Sequence, residues 1–465
     1  MAQHIRGERG GDLVLYNGFI YKKKKGKGQK DYYQCNDNGC LVTLHTLRNT
    51  LTVVQNAGVH THNPPSDIVA STTVFEEAKR RIDADPTRHL PRLWEEVLNW
   101  YDLQYQDGWI LPDFNEYRSS LYRHRSESLP PLPNSIHDID FGAVNPTWSS
   151  TSRGTQFMLK HDTNWGITIF SSLEQLQILA ASRFLLADGT FKSAPPPYAQ
   201  LYTLHGIQNN RRIPLVFALM TNKATGDYVR LLQLVRRYVR RATGRPFDPE
   251  LIVTDYELGM INAVGMELPN TTHVGCFFHF CQAIFKKVKE YGLVRAYRDQ
   301  PRVQGFIRKI MALPFLPVLV LRVNYNLHKQ QNRRLIRRYP ALARLTLYFA
   351  MTWLNGSFPL PMWNVYNRHF RLRTTNGVEG WHKRWNGIVA RTHPNIWYFI
   401  MSMKSEEIVI HRAIRKIRAH RPPPPQIRRY RMLNNMISQY KTEYEHNVKT
   451  LDEYWDHVQY ACHQF

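Results

Sequence analysis

Leu186-Ala187-Asp188-Gly189-Thr190-Phe191 and Leu251-Ile252-Val253-Thr254-Asp255 are the two stretches that decide how this chain folds. Each is a short apolar run that delivers an aspartate. Runs of this length, bounded by turn-forming residues, predict buried strands, and α/β sheets present ligand-binding side chains at strand C-terminal ends. Asp188 and Asp255 then converge on one spot if their strands are neighbours. Glu379, in Thr374-Thr375-Asn376-Gly377-Val378-Glu379-Gly380-Trp381-His382, is expected from a much later helix that folds back over the sheet.

Outward from these stretches, residues 184–187, 201–206 and 215–219 are β-like runs joined by short turns, which predicts an antiparallel meander. Residues 226–242 carry Tyr228, Leu231, Leu232, Leu234, Val235 and Val239 at helical spacing. A strand over 251–254, a helix over 257–266, a strand over 273–277 and a helix to 289 follow. The result is an α/β class domain over 150–395: a mixed sheet covered by helices, with a helical insertion at about 290–370. Two further helical stretches, 394–420 and 426–460, are parted by Pro422-Pro423-Pro424-Pro425, and 396–465 is read as C-terminal helices.

The N-terminal part differs. Short strands are expected over 13–16, 19–22, 32–34, 41–46 and 51–54 in a β-rich unit of residues 10–66 that ends at Asn63-Pro64-Pro65-Ser66. Cys35-x4-Cys40 and His60-x-His62 offer four ligands of the kinds found in closed structural zinc sites, and so small a unit needs such a staple. His45 competes as a ligand but falls inside an expected strand. Residues 72–125 carry apolar positions at three- and four-residue spacing, which predicts a helical region over 70–128, suited to DNA-end binding or to packing.

With 62 Lys and Arg against 37 Asp and Glu, the formal net charge of +25 suits a polyanionic partner. Lys22, Lys23, Lys24 and Lys25, with Lys27 and Lys30, form a basic hairpin suited to phosphate, to nuclear localisation or simply to solvent. Arg236, Arg237, Arg240 and Arg241, then Arg333, Arg334, Arg337 and Arg338, then Arg412, Arg415, Lys416 and Arg418 mark three basic faces. No apolar run reaches the roughly 18 residues needed to span a bilayer, and residues 1–11 lack the apolar core of a secretory signal. Five sparsely placed cysteines argue for thiols or metal ligands rather than a disulfide framework.

Three carboxylates suit phosphodiester chemistry, because hard Mg²⁺ or Mn²⁺ ions prefer oxygen ligands and stabilise both oxygens of an in-line displacement. Each also has a bland reading. Asp188-Gly189 forms an ordinary turn pair, Asp255 caps the following helix, and Asn376 with Glu379 makes a capping box.

Taken in order, Asp188-Gly189-Thr190-Phe191-Lys192, the run from Gln200 to Gly206, the run from Pro214 to Leu219, Thr254-Asp255-Tyr256-Glu257, Ile261-Asn262-Ala263, Cys276-Phe277-Phe278-His279, and Thr375-Asn376 with Glu379 and His382 resemble the MULE (Mutator-like element) transposase domain over about residues 155–390. The resemblance implies an RNase H-like fold with an all-helical insertion between the second Asp and the Glu. It also implies metal-dependent strand cleavage and transfer by Asp188, Asp255 and Glu379 with Mg or Mn. Cys276 and His279 fall on the family's Cys-x-x-His motif. Cys276 is readable as a small buried apolar residue, and His279, like His382, as a contact to DNA or a carboxylate. A zinc set of His273, Cys276, His279 and Cys281 is disfavoured, since neighbours on a strand face opposite sides. Trp381 and Trp385 stack on a base or belong to the core.

Tyr16, Phe19, Tyr21, Tyr32-Tyr33-Gln34-Cys35 and Val59-His60-Thr61-His62-Asn63 resemble a FLYWCH zinc finger, which implies structural zinc on Cys35, Cys40, His60 and His62. The expectation is a nuclear DNA-binding transposase acting on transposon ends, compatible with a homo-oligomer and without a membrane partner. A domesticated, non-catalytic DNA-binding regulator is the alternative, and a scaffold for RNA or chromatin a third.

Overall fold

A computed structural model describes the chain apart from residues 1, 7–11, 49, 64, 65, 87, 106–109, 128, 142–145, 390–393, 426 and 463–465. The prolines of the expected linker, Pro64 and Pro65, lie outside the described residues, as does His463. Two compact units result, Met1–Pro131 and Leu132–Phe465.

The first unit opens with six antiparallel strands in sequence order: β1 (Gln3–Arg6), β2 (Asp12–Tyr16), β3 (Phe19–Lys27), β4 (Lys30–Cys35), β5 (Thr43–Leu47) and β6 (Val53–Ala57). The sequence reading missed β1, whose residues carry no apolar alternation. Strand β4 alternates, burying Asp31, Tyr33 and Cys35. Asp31 is paired inside the sheet by Lys23 at 2.7 Å and Arg48 at 3.2 Å, as a buried carboxylate requires. The core is small, made chiefly of Val14, Tyr21, Tyr33, Val42 and Leu44 with both cysteines. Helices α1 (Ser66–Ala84), α2 (Leu90–Tyr105) and α3 (Phe114–Glu127) close round Val74, Ala78, Trp94, Val97 and Leu121. The Trp94 indole N–H donates to Pro112 O at 3.1 Å.

The second unit is built on seven strands: β7 (Met158–Asp162), β8 (Ile167–Phe170), β9 (Phe184–Thr190), β10 (Gln200–Gln208), β11 (Arg211–Met220), β12 (Leu251–Thr254) and β13 (Thr272–Gly275). Their spatial order is β13-β12-β9-β10-β11-β8-β7. Strands β9, β10 and β11 form the expected antiparallel meander, while β12 runs parallel to both β9 and β13. Sequence reading missed β7, β8 and the helix α4 (Leu173–Ala180). Strand β8 is four residues long and buried throughout, so no alternation marks it.

Helices α5 (Thr225–Thr243) and α6 (Leu258–Glu267) lead into β12 and β13, and α7 (Phe277–Glu290) leads out of β13. The strand expected over 273–277 ends at Gly275, and Cys276 is the N-cap of α7. The Cys276 amide makes the last bond of the parallel ladder, to Thr254 O at 2.8 Å, while its carbonyl accepts from the Phe280 amide at 3.0 Å and so opens the helix.

The expected insertion is helical: α8 (Val294–Asp299), α9 (Pro301–Ala312), α10 (Leu321–Gln331), α11 (Arg333–Arg338), α12 (Pro340–Phe349) and α13 (Leu360–Trp363). It has its own core, in which Phe280 of α7 stacks on Trp363 with ring centres 5.3 Å apart. The chain then forms α14 (Asn376–Val389), α15 (Ile396–Arg418), α16 (Arg428–Glu445) and α17 (Leu451–Val458), so that the single stretch read over 426–460 is two helices. Tyr454 and Trp455 of α17 return to the insertion core. Among the described residues no helix is long and apolar enough to cross a membrane.

That core contains His328, stacked on Phe306 at 4.6 Å and bonded through Nε2 to Phe306 O at 3.1 Å. Burial depresses its pKa to about 4 from an ordinary 6.5. Unfolded chains therefore take up this proton below about pH 6.5, and folded ones only near pH 4. Stability of the second unit should fall as pH drops through that window, by on the order of 3 kcal/mol at most from this residue. Urea midpoints measured between pH 7 and pH 4.5 check it: His328→Gln should flatten the slope relative to the parent protein.

Candidate metal centres

Cys35 ends β4, Cys40 follows a tight turn, and His60 and His62 follow β6. Cys35 Sγ lies 3.3 Å from His62 Nε2, Cys40 Sγ 3.4 Å from His60 Nδ1, and the two imidazole nitrogens 3.2 Å apart. A tetrahedral zinc with ordinary bond lengths sets S···N at about 3.5 Å and N···N at about 3.3 Å. The four donors thus already span the edges of such a tetrahedron. The remaining ring nitrogens are held as ligating histidines require: His60 Nε2 lies 2.9 Å from the Tyr21 hydroxyl, and His62 Nδ1 lies 2.9 Å from Asn63 O. Phe19 stacks on His60 at 3.5 Å and fixes the ring plane. His45 faces Gln55 and Tyr32 on β5 and is no part of this group.

At the sheet, Asp188 lies inside β9 rather than in a turn, opposite Thr203 of β10. Strands β9 and β12 pair Ile252 with Leu185 and Val253 with Leu186. Continuing that register by two residues sets Asp255 level with Asp188. Asp255 Oδ1 accepts from the Glu257 amide at 3.2 Å and so ties the turn that opens α6, whose N-cap is Glu257.

Glu379 arrives 379 − 255 = 124 residues after Asp255. Three contacts bring it back. Arg368 donates to Gly275 O at 2.6 Å and to Met362 O and Asn364 O. The Phe277 amide donates to Arg373 O at 2.8 Å. Buried Cys276 Sγ accepts from both the amide and the hydroxyl of Thr375, at 3.1 and 3.2 Å, immediately ahead of α14. Cys276 is therefore an acceptor that anchors the helix carrying Glu379, more than an apolar filler. No capping box forms at Asn376: its Oδ1 is buried without a hydrogen-bond partner, as is Glu379 Oε1.

His279, on the first turn of α7, places Nε2 3.7 Å from Glu379 Oε1. Among the described residues, two groups of three or more His, Cys, Asp or Glu side chains set ligand atoms within 4.8 Å of one another: the finger quartet, and Cys276 with His279 and Glu379. Asp188 and Asp255 belong to neither. His273 and Cys281 are elsewhere, the first against Thr254 Oγ1 at 2.8 Å and the second buried near Met311 O.

The electrostatics show what this pocket lacks. Burial pushes the Asp188 carboxyl up to about 7; His279 opposes this, and the charges of Asp255 and Glu379 add to it. Burial likewise raises Glu379. Burial alone would lower His279, but the Cys276 sulfur, Asp188 and Glu379 outweigh it and lift its pKa to about 10. His382 lies with Nδ1 3.6 Å from Asp188 Oδ2 and Nε2 3.2 Å from Thr203 Oγ1, its pKa depressed to about 4 by burial and by His279. His205 Nε2 reaches the same hydroxyl at 3.1 Å. Thr203, His205 and Thr375 were not singled out as site residues. The i, i+2 spacing of Thr203 and His205 on a strand beside Asp188 was the available signal.

Lys22, Lys23, Lys24 and Lys25 are exposed on β3, with Lys23 engaged by Asp31. The three basic faces are exposed as well, on α5, on α11 and at the end of α15. Trp381 and Trp385 are core: they stack at 5.5 Å, and the Trp381 indole donates to Glu406 Oε1 at 2.8 Å.

A family model of the FLYWCH zinc finger domain matches residues 4–62, and one of the MULE transposase domain matches residues 184–283. The first match contains all four finger ligands. The second contains Asp188, Asp255, Cys276 and His279, while Glu379 lies beyond it. No curated protein matches the chain.

Zinc is the ion that the finger's donor set and geometry fit. Purified protein should carry about one tightly held zinc per chain there. Cys40→Ser should release it and raise amide exchange across β3, β4 and β5, with zinc assayed by atomic absorption. Unchanged zinc content and unchanged protection in the variant would refute this assignment.

Proposed function

We propose that this transposase-derived chain, with its N-terminal FLYWCH zinc finger domain and its MULE transposase domain, is a Mutator-like DNA transposase that cuts and transfers DNA strands at element ends. The reading takes the seven-stranded unit as an RNase H-like core with Asp188, Asp255 and Glu379 as its metal-binding carboxylates. One observation carries it. Asp188 on β9, Asp255 just past the adjacent parallel strand β12 and Glu379 on a helix 124 residues later lie near enough that the charges of Asp255 and Glu379 add to the burial that raises the Asp188 pKa. Such a set is at odds with itself until a cation arrives.

Oxygen donors of this kind suit Mg²⁺ or Mn²⁺, and the buried Glu379 Oε1, which accepts no hydrogen bond, could take such an ion. A divalent ion bound there would supply the charge that stabilises the attacking and leaving oxygens of an in-line displacement. The chain's own part is positioning. His382 orients Asp188. His279, with Nε2 3.7 Å from Glu379 Oε1, would hold that carboxylate toward the ion. The Cys276–Thr375 bonds hold α14 against β13. The exposed lysines of β3 and the arginine faces would contact the DNA backbone without reading sequence, and a DNA substrate implies action in the nucleus.

With Mg²⁺ or Mn²⁺ the protein should nick or join element-end DNA. Asp188→Asn, Asp255→Asn and Glu379→Gln should each lower that rate by about 10³-fold or more while duplex binding in a mobility shift stays unchanged. Variants that retain cleavage would remove the carboxylates from the mechanism. A separate measurement addresses the finger. Replacing Lys22, Lys24 and Lys25 with Ala should weaken duplex binding for all sequences alike, and reduce the slope of log K against log salt by about 2 to 3.

A further inference from the structure

A cavity of about 450 Å³ lies against the first turns of α7 and α14, the two helices that carry His279 and Glu379. Its character differs from that of the carboxylate pocket. Arg212 and Arg373 line it, and among the described residues no Asp or Glu does. Arg373 is only 9% exposed and keeps Nη1 without a hydrogen-bond partner; Arg212 keeps Nε unpartnered. Its remaining bonds go to backbone carbonyls, Arg212 to Arg371 O at 2.8 Å and Arg373 to Arg368 O at 3.3 Å.

Arg212 packs directly on Gly377, where a Cβ would collide with the guanidinium. A cation is thereby pressed against the N-terminal end of α14, which itself carries partial positive charge. The described lining offers these two guanidinium groups no acid, since Glu379 in the first turn of α14 stands outside it, and an anion in the cavity would pair with both and with the helix N-terminus. Aromatic rings line it too: Phe278 of α7, Phe370 and Tyr430 of α16, beside polar Thr374, Asn376 and Asn434, with Phe315 against the Arg373 guanidinium at 5.5 Å. Bare phosphate would use the charges and leave the rings idle. A ligand with an anionic end and an aromatic body uses both.

We infer that this cavity takes a nucleoside phosphate, its phosphate on Arg212 and Arg373 at the start of α14 and its base among Phe278, Phe370 and Tyr430. The inference rests on the chain acting on nucleic acid, and it gives the proposed active site a neighbouring subsite on the same two helices. The nucleotide is either one residue of a bound DNA strand or a free mononucleotide.

Calorimetric titration of the full chain, without divalent metal, tests it. Thymidine 5′-monophosphate should bind, with thymidine and inorganic phosphate each at least about tenfold weaker. Arg373→Gln should cost about tenfold or more in affinity, the worth of a charge-assisted hydrogen bond. Ile427→Trp is the second variant: Ile427 is 69% exposed at the cavity rim, so the larger ring fills the opening without disturbing the core. It should weaken mononucleotide binding with an unchanged thermal midpoint. If it weakens a 5′-phosphorylated single-stranded oligonucleotide equally, the ligand is a DNA residue; if only the mononucleotide suffers, it is a free nucleotide. Mononucleotide binding that is absent, or no tighter than phosphate and indifferent to Ile427→Trp, overturns the inference and leaves an adventitious ion only. Strand cleavage without mononucleotide binding would sink the subsite alone. Mononucleotide binding without cleavage would sink the strand-transfer reading alone.

Discussion

The parallel pairing of β12 with β9 is the constraint on which the rest of the second unit depends. In-register parallel strands point equivalent residues to the same face, so pairing Val253 with Leu186 obliges Asp255 and Asp188 to stand side by side. A parallel pair also demands a crossover. Here the crossover from β11 is α5, whose Leu231, Leu232, Val235 and Val239 are buried while Arg236, Arg237, Arg240 and Arg241 face solvent. Slipping the register by one residue would turn Asp255 to the opposite face, and nothing else in the chain would restore the meeting.

The third carboxylate needs a different device, because no sheet register reaches across 124 residues. The helical insertion forms an independent core round Phe280, Phe306, Trp353 and Trp363, and α7 belongs to it as well as to the sheet. That shared helix ties the insertion to the strands. Arg368 then stitches the returning chain to Gly275, and Cys276 takes two hydrogen bonds from Thr375. Sulfur is a weak acceptor, yet in a dry site even weak acceptors are costly to replace with nothing. The Cys-x-x-His motif thus has two jobs a turn apart: the cysteine locates the Glu379 helix, and the histidine faces Glu379 itself.

Both centres follow one logic with different donors. In the finger, a core of a few residues cannot hold six strands by burial alone, and Cys35, Cys40, His60 and His62 close it with soft and borderline donors that suit zinc. At the sheet, burial that stabilises the fold makes the acids uncomfortable, which is why Asp188 sits near 7. The finger uses its ion to complete a fold; the sheet completes its fold first and is left with unbalanced charge.

Much of this was legible in the linear order of residues. Apolar runs of the right length located β9, β10, β11 and β12, the three- and four-residue spacing located α1, α2, α3 and α5, and the Cys and His spacing located the finger ligands, because those signals are local. Other features had no local signal: β8 is wholly buried and shows no alternation, and β13 stops early because the Cys276 carbonyl is taken by the Phe280 amide of α7. The meaning of Glu379 was equally illegible from its neighbours, since Asn376 and Glu379 read as a capping box until Asn376 proved to lie inside the helix. The identities of Asp188, Asp255, Glu379, Cys276 and His279 are thus properties of the sequence. Their proximity, the lining of Arg212 and Arg373 round a cavity without an acid in its described walls, and the charge each site lacks belong to the tertiary structure alone. Burial and long-range pairing set those energies, and neither is a property of any segment by itself.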